Sequence, residues 1–440
     1  MITIAFYSYK GGVGRSLAVA NVAHYLALLG QKVVVVDFDL EAPGIHYKLV
    51  PPEVLESEPI KGGVVDLIYE IAVEGVAKTE PASFLRDVPV PAGSEGSIKL
   101  LPAGAAPLRE YWSKLSRIDL TNFVYAPEGK GLAFFLSLKE SIQEQTGADF
   151  LLIDSRTGVT EIGGVATTVL ADVVLCLFLN NPENLEGTKA MIEAFRDSPR
   201  PPGADQLTII PVLSRLPGQD NDEENIIVGE VEESLRDAGG AAINLGAVSV
   251  LHFDHDLHLK ERLLVGDSGA WEVKLLRDYV TLFARVVPQD IIDRRINALV
   301  DHARVSVLDD PDLAQKNLEY FGFAFDSKRA LDGLIRLYKL RGVGGIKILK
   351  AAERFWKISD NHFYNEMPWG LLHNVIQSLI SDGTNHLPAD FLEEVWRRSG
   401  RRGGMLMDYL ISVYSRQGRN DKAEQIVNEH DFDCSYKVVD

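Results

Sequence analysis

The sequence predicts an α/β domain built on a doubly wound, mostly parallel sheet, followed by an all-α C-terminal domain. Three observations carry this prediction. A glycine-rich stretch, Lys10-Gly11-Gly12-Val13-Gly14-Arg15-Ser16, lies between the apolar run Ile2–Tyr7 and a helix-like segment over residues 17–29. From there to about residue 287, apolar runs of strand length alternate with segments of helical spacing, the pattern of a sheet covered on both faces. Near Pro288 the strand signals stop, and only helical patterns follow.

A strand, a glycine turn and a helix start in that order make a phosphate cradle. Glycines let backbone N–H groups converge, and the positive end of the helix points at the same place. The general phosphate-loop pattern is G-x-x-x-x-G-K-[ST], and this stretch departs from it. Arg15 stands where that lysine is expected, an extra Lys10 opens the loop, and Ser16 holds the magnesium position.

Leu17, Ala20, Val22, Ala23, Leu26 and Leu29 then recur near helical spacing, with Gly30 as the cap. The run Lys32–Asp37 is apolar in the manner of a parallel strand buried on both faces. Residues 50–97 read as an insertion on the rim, with weak helical patterns over 64–73 and 82–86, broken by Pro89, Pro91 and Gly93. A strand end follows at residues 98–104. The alternation then resumes: a helix over 131–145, the strand Phe150–Asp154, a helix from Glu161, a strand over 172–179, a helix over 183–195 and a strand over 207–213. An acidic helix over 222–236, a short strand over 248–251 and a helix over 269–286 complete this part, and a ligand belongs at the carboxyl ends of its strands.

Helical patterns cover residues 290–305, 312–321, 328–340, 346–355, 369–380, 389–397, 405–416 and 422–429. The last two flank a glycine turn at Gly418 and resemble one tetratricopeptide-type helix pair. Without a clear fixed period, a generic helical bundle fits as well as a repeat solenoid.

A hydrophobic content of 46% with 25% charged residues sets the chain apart from disordered sequences. Its two cysteines, Cys176 and Cys434, are too far apart for a disulfide framework or a Cys-x-x-Cys metal site. No apolar stretch reaches spanning length and no leader pattern precedes the first strand, so the expectation is a cytoplasmic protein without membrane partners. The net charge of −18 argues against general binding to nucleic acid. Arg397, Arg398, Arg401 and Arg402 form a local basic cluster, best read as a solvated helix end.

Three acids fit the cradle. Asp37 and Asp39 close a buried strand, where side chains leave the sheet and face a ligand; the turn at Ala42-Pro43-Gly44 lets both act on one site. One would hold water near a terminal phosphate and the other would support magnesium. Asp154 ends the next central strand, as a Walker B aspartate does, and holds magnesium directly or through water. Arg156 and Thr157, just beyond it, either order the loop against phosphate or form a salt bridge within it.

Together, the Lys-Gly-Gly-Val-Gly loop with its early lysine, Asp37-Phe38-Asp39, the Asp154 strand with Gly158 close behind, and Asn180-Asn181-Pro182-Glu183 resemble the deviant Walker A P-loop NTPases of the ParA/MinD type. The resemblance covers residues 1–287, and 288–440 would be an interaction module. It is nearest to a variant group with arginine in the loop and an Asp-x-Asp-x-Glu-x-Pro-Gly segment. It implies ATP and magnesium as cofactors, and a homodimer with nucleotide at the interface. Lys10 would reach phosphate on the partner's nucleotide, with Arg15 and Asp39 as its catalytic companions and Asp39 positioning the attacking water. Gly11, Gly12, Val13, Gly14, Arg15, Ser16 and Leu17 would cradle the nucleotide. Ser16, Asp37 and Asp154 would serve the metal, and Asn180, Arg215 and residues 252–256 the adenine.

The function expected is a magnesium-dependent, slowly hydrolysing ATP switch that dimerises and binds a protein partner through its helical domain. Arginine is a larger, planar donor than lysine, so nucleotide binding should survive the exchange better than rate. A non-hydrolysing, nucleotide-stabilised scaffold and an ATP-dependent small-molecule ligase are the alternatives.

Overall fold

The computed structural model describes residues 1–106, 108–125, 130–218, 221–358, 369–381, 388–398 and 404–436. It divides into two compact units, Met1–Arg295 and Ile296–Asp440, the division falling inside the helix Gln289–Val305.

The first unit is organised by a nine-stranded sheet. Its strands are β1 (Ile2–Tyr7), β2 (Lys32–Asp37), β3 (Arg86–Val88), β4 (Ser97–Leu101), β5 (Phe150–Asp154), β6 (Val173–Phe178), β7 (Leu207–Leu216), β8 (Ile243–Leu245) and β9 (Ser249–His252). The order is β3-β4-β2-β5-β1-β6-β7-β8, with β9 also on β7, and every pairing is parallel except β3 with β4. The central strands are buried on both faces, as their unbroken apolar runs require. The loop leaving β1 therefore emerges between the ends of β5 and β6.

Two strands escaped the sequence reading, β3 and β8. Each has three residues, too few to show a period of two. The helical pattern over 82–86 is corrected: Pro81–Phe84 is one 3-10 turn and the chain then extends into β3, which adds to the sheet edge. The rim insertion over 50–97 is corrected as well. Its helix Val64–Ala72 is part of the crossover from β2 to β4, and Val64, Val65 and Ile68 lie fully inside the main core. The helix is amphipathic: Val64, Val65, Leu67, Ile68 and Tyr69 are buried while Ala72 is exposed. Gly63 admits the close approach, because a Cβ there would meet the carbonyl oxygen of Pro102 at 1.9 Å.

The second unit is helical throughout its described residues. Pro311–Ala324, Lys328–Leu340, Gly345–Lys357, Trp369–Ser381, Ala389–Arg398, Met405–Arg416 and Asn420–Tyr436 each pack on the next in chain order. Two buried glutamates join neighbouring helices: Tyr338 donates to Glu319 at 2.6 Å, and Tyr414 donates to Glu393. A buried carboxylate needs such partners, and each bond ties one helix to a neighbour. Arg397 and Arg398 are ion-paired to glutamates of their own helix, Glu393 and Glu394, both at 2.8 Å. Arg397 also reaches Glu429 on the helix Asn420–Tyr436 at 3.1 Å and so ties two helices together rather than standing as a solvated end, while Arg401 and Arg402 lie outside the described residues. Cys176 is buried and free in β6, while the side chain of Cys434 lies outside the described residues.

Candidate functional site

After Tyr7 the chain turns through Ser8 to Gly14 and enters the helix α1 (Arg15–Leu28). Gly12 and Gly14 have φ of 79° and 85°, a region that side chains with Cβ rarely adopt, and nothing lies within 4 Å of where a Cβ would stand on either. The loop is thus shaped and open. Gly14 offers α1 no side-chain cap, and its first turn carries no acid. The amides at the helix start have no carbonyl ahead of them to bond, so the positive end of α1 faces the open cradle. Ser16 and Leu17 follow in that first turn.

Two side chains hold the loop from below. Ser214 Oγ, on β7, donates to the Val13 carbonyl at 2.6 Å, and Tyr7 Oη donates to the Gly158 carbonyl at 3.1 Å. Gly158 N donates in turn to the Ser8 carbonyl at 3.1 Å, tying the loop to the segment after β5.

Asp37 and Asp154 end neighbouring parallel strands in register, and both are buried. Arg15 lies against Asp154 and Asp39. Its Nε donates to Asp154 Oδ1 at 2.8 Å, its Nη2 to Asp39 Oδ2 at 2.9 Å and its Nη1 to Ser8 Oγ at 3.3 Å. The arginine is directed at the acids. Burial, reinforced by Asp154, pushes the Asp37 carboxyl well above the ordinary carboxylate range. Among the described residues Asp37 Oδ2 has no hydrogen-bond partner, while Oδ1 accepts from the Asp39 amide at 3.1 Å. A raised pKa favours the neutral carboxyl, which is a weaker metal ligand than a carboxylate. Burial also raises Asp39, against the pull of Arg15. Among the described residues no three His, Cys, Asp or Glu side chains converge on a metal position. Magnesium at a phosphate site takes only one or two carboxylates and the phosphates themselves, so Asp154 with Ser16 beside the cradle fits it.

Lys10 is exposed and pairs with Glu183 at 2.8 Å. Glu183 opens the helix Pro182–Asp197, on which Gly187 leaves room for the Tyr9 ring; a Cβ there would stand 2.1 Å from it. Arg156 pairs with Glu41 and so joins the segments after β2 and β5, an ion pair between two segments rather than one within its own loop. Asn180 and Arg215 line one cavity of about 470 Å³ with Asn181, Pro217 and Ile227. Arg215 also lines a second, tighter one with Val13, Gly14, Leu17, His252 and Asp254. Arg215 has φ 57° and sits where the pairing of β7 with β9 slips between Ser214 and Leu216. A bulge aims its side chain at both cavities at a cost in backbone strain.

His252 closes the second cavity. Its Nδ1 lies 2.8 Å from Asp278 and its Nε2 2.9 Å from Glu224, while Lys274 reaches Glu224 at 3.3 Å. Burial works against a charged imidazole here, but the hydrogen bonds to Asp278 and Glu224 outweigh it and raise its pKa. Ser214, Glu224 and Asp278 were missed from sequence because each acts on a residue in another element, and Ser8, seven residues before Arg15, because a lone serine in a turn carries no pattern. Only Ser214, beside Arg215 at a strand end, gave any local signal.

Residues 4–262 match the CobQ/CobB/MinD/ParA nucleotide binding domain family. The chain belongs to that family. Among solved structures it is similar to the MinC:MinD cell division protein complex of Aquifex aeolicus, at 18% identity over 66% of this chain and 98% of that one, with a TM-score of 0.42. It is also similar to the septum site-determining protein MinD complexed with Mg-ADP from Pyrococcus horikoshii OT3, at 17% identity over 66% and 97%, with a TM-score of 0.44. A ParA family ATPase from Chlorobium tepidum TLS gives 16% identity over 65% and 98%, with a TM-score of 0.43. No match was found among curated proteins. No helix among the described residues is long and apolar enough to cross a membrane.

Proposed function

We propose that this chain is an ATP-binding switch that dimerises around nucleotide, hydrolyses it slowly with magnesium, and binds a protein partner through residues 288–440. The observation that carries the reading is the open glycine loop at the uncapped start of α1, set directly beside Arg15, Asp39 and Asp154. Phosphates would lie on the amides of Gly11 to Ser16 and the base in the cavity walled by Leu17, Arg215 and His252. When bound, the nucleotide supplies a phosphoanhydride whose cleavage needs chiefly positioning and charge neutralisation. Asp39, partly exposed and hydrogen-bonded to Arg15, would orient water, and Asp154 with Ser16 would hold magnesium. Lys10 is held on its own chain by an exposed ion pair with Glu183 and a contact over the Tyr9 ring, both at an exposed site and easily exchanged for phosphate on a second subunit.

Phosphate release and ATP binding by the purified chain test this. Binding with slow magnesium-dependent turnover, weakened in Lys10→Ala, is expected; failure to bind ATP refutes it. The ion pairs of Arg15 with both acids favour a second reading, a scaffold that binds ATP without turnover.

A further inference from the structure

Arg15 is where the loop departs from the phosphate-loop pattern, and its surroundings give the departure a chemistry. The side chain is 7% exposed and three of its nitrogens are committed, to Asp154, Asp39 and Ser8. One planar fork thus serves two carboxylates that end up facing the same cradle. A lysine is a single point charge on a flexible stem and lacks the fork that holds two acids at once.

The acids matter to any anion at the glycine loop. A polyphosphate brought onto those amides meets Asp154 and Asp39 nearby, and in a partly desolvated site like charges repel more strongly than in water. In a site with uncovered acids, a divalent cation must stand between carboxylate and phosphate. Here a cation is already in place and covalently part of the chain.

We propose that Arg15 is the resident counter-charge of this site, so that ATP binds without a divalent metal and magnesium is required for turnover only. This rests on the nucleotide-binding reading above and adds to it the role of one residue. It also accounts for slow turnover: a metal can use Asp154 fully only when Arg15 releases it, and that exchange gives up a buried, charge-assisted hydrogen bond. Arg15 acts here through the acids, as a positioning residue.

Calorimetric titration of the full chain with ATP, in magnesium and in EDTA, tests the proposal. The native affinity should change by less than about fivefold on metal removal, whereas Arg15→Lys, which leaves the acids less completely covered, should lose more than about tenfold. A larger loss than fivefold in the native chain overturns the role of Arg15, as does an Arg15→Lys protein equally indifferent to metal. Absence of binding in both buffers instead removes the nucleotide-binding reading itself, and the proposal with it. The native comparison decides the matter even where the variant fails to fold; unfolding curves of both proteins report that directly.

Discussion

Two buried basic side chains stand near the carboxyl edge of the same sheet, each between two acids. Arg15 is held by Asp154 and Asp39 on the β5 side of the loop, and His252 by Asp278 and Glu224 beyond β7. Both are nearly inaccessible, at 7% and 5% exposure. They differ in what solvent conditions can do to them. A guanidinium keeps its charge at every pH a protein survives, whereas an imidazole loses its charge within the working range. The glycine-loop side is therefore locked by a permanent charge, and the wall of the neighbouring cavity by one that can be switched off.

The comparison breaks first at Arg15. Arg15→Ala leaves buried Asp154 and partly exposed Asp39 without their shared counter-charge, and should destabilise the first unit by about 3 kcal/mol, read from denaturant unfolding. The contribution of Arg15 itself should not fade between about pH 6 and pH 9, since its charge does not change there.

His252 should behave otherwise. Its native pKa is raised, so its stabilising charge is fully present below about pH 6.5, the ordinary imidazole value, and is lost as pH rises through the native value. His252→Gln should cost about 2 kcal/mol at pH 6 and progressively less at higher pH, so that the native and variant curves converge. Parallel curves would show that His252 titrates alike in the folded and unfolded chain and that the two clusters do not differ in this way.

Ser214→Ala sharpens the picture at the smallest scale. Loss of its bond to the Val13 carbonyl should cost about 1 kcal/mol of stability and loosen ATP binding, because the loop carbonyl is then held less firmly. Amide exchange at Val13 and Gly14 reads the loosening.

Much of this architecture was legible in the sequence, for identifiable reasons. The runs at β1, β2, β5 and β6 are apolar without interruption because those strands are buried on both faces, and the glycines at 12 and 14 mark positions of positive φ. Asp37 and Asp154 could be placed at strand ends because the apolar runs stop there. What the sequence did not disclose is which way the side chains turn. Arg15 stands at the lysine position of the phosphate-loop pattern, and its donors meet Asp154 and Asp39; Asp37 stands at a strand end, and among the described residues one of its buried carboxyl oxygens has no partner. Both outcomes depend on the register of β2 against β5, a contact between segments more than a hundred residues apart. The His252 cluster was hidden for the same cause, since Glu224, His252 and Asp278 come from three separate elements. The short strands β3 and β8 were hidden by length alone.

Light scattering of the native chain at one concentration with ATP, with ADP and without nucleotide tests the switch most directly. The account predicts a mass near 48.6 kDa without nucleotide and with ADP, and about twice that with ATP. One mass in all three states would contradict it.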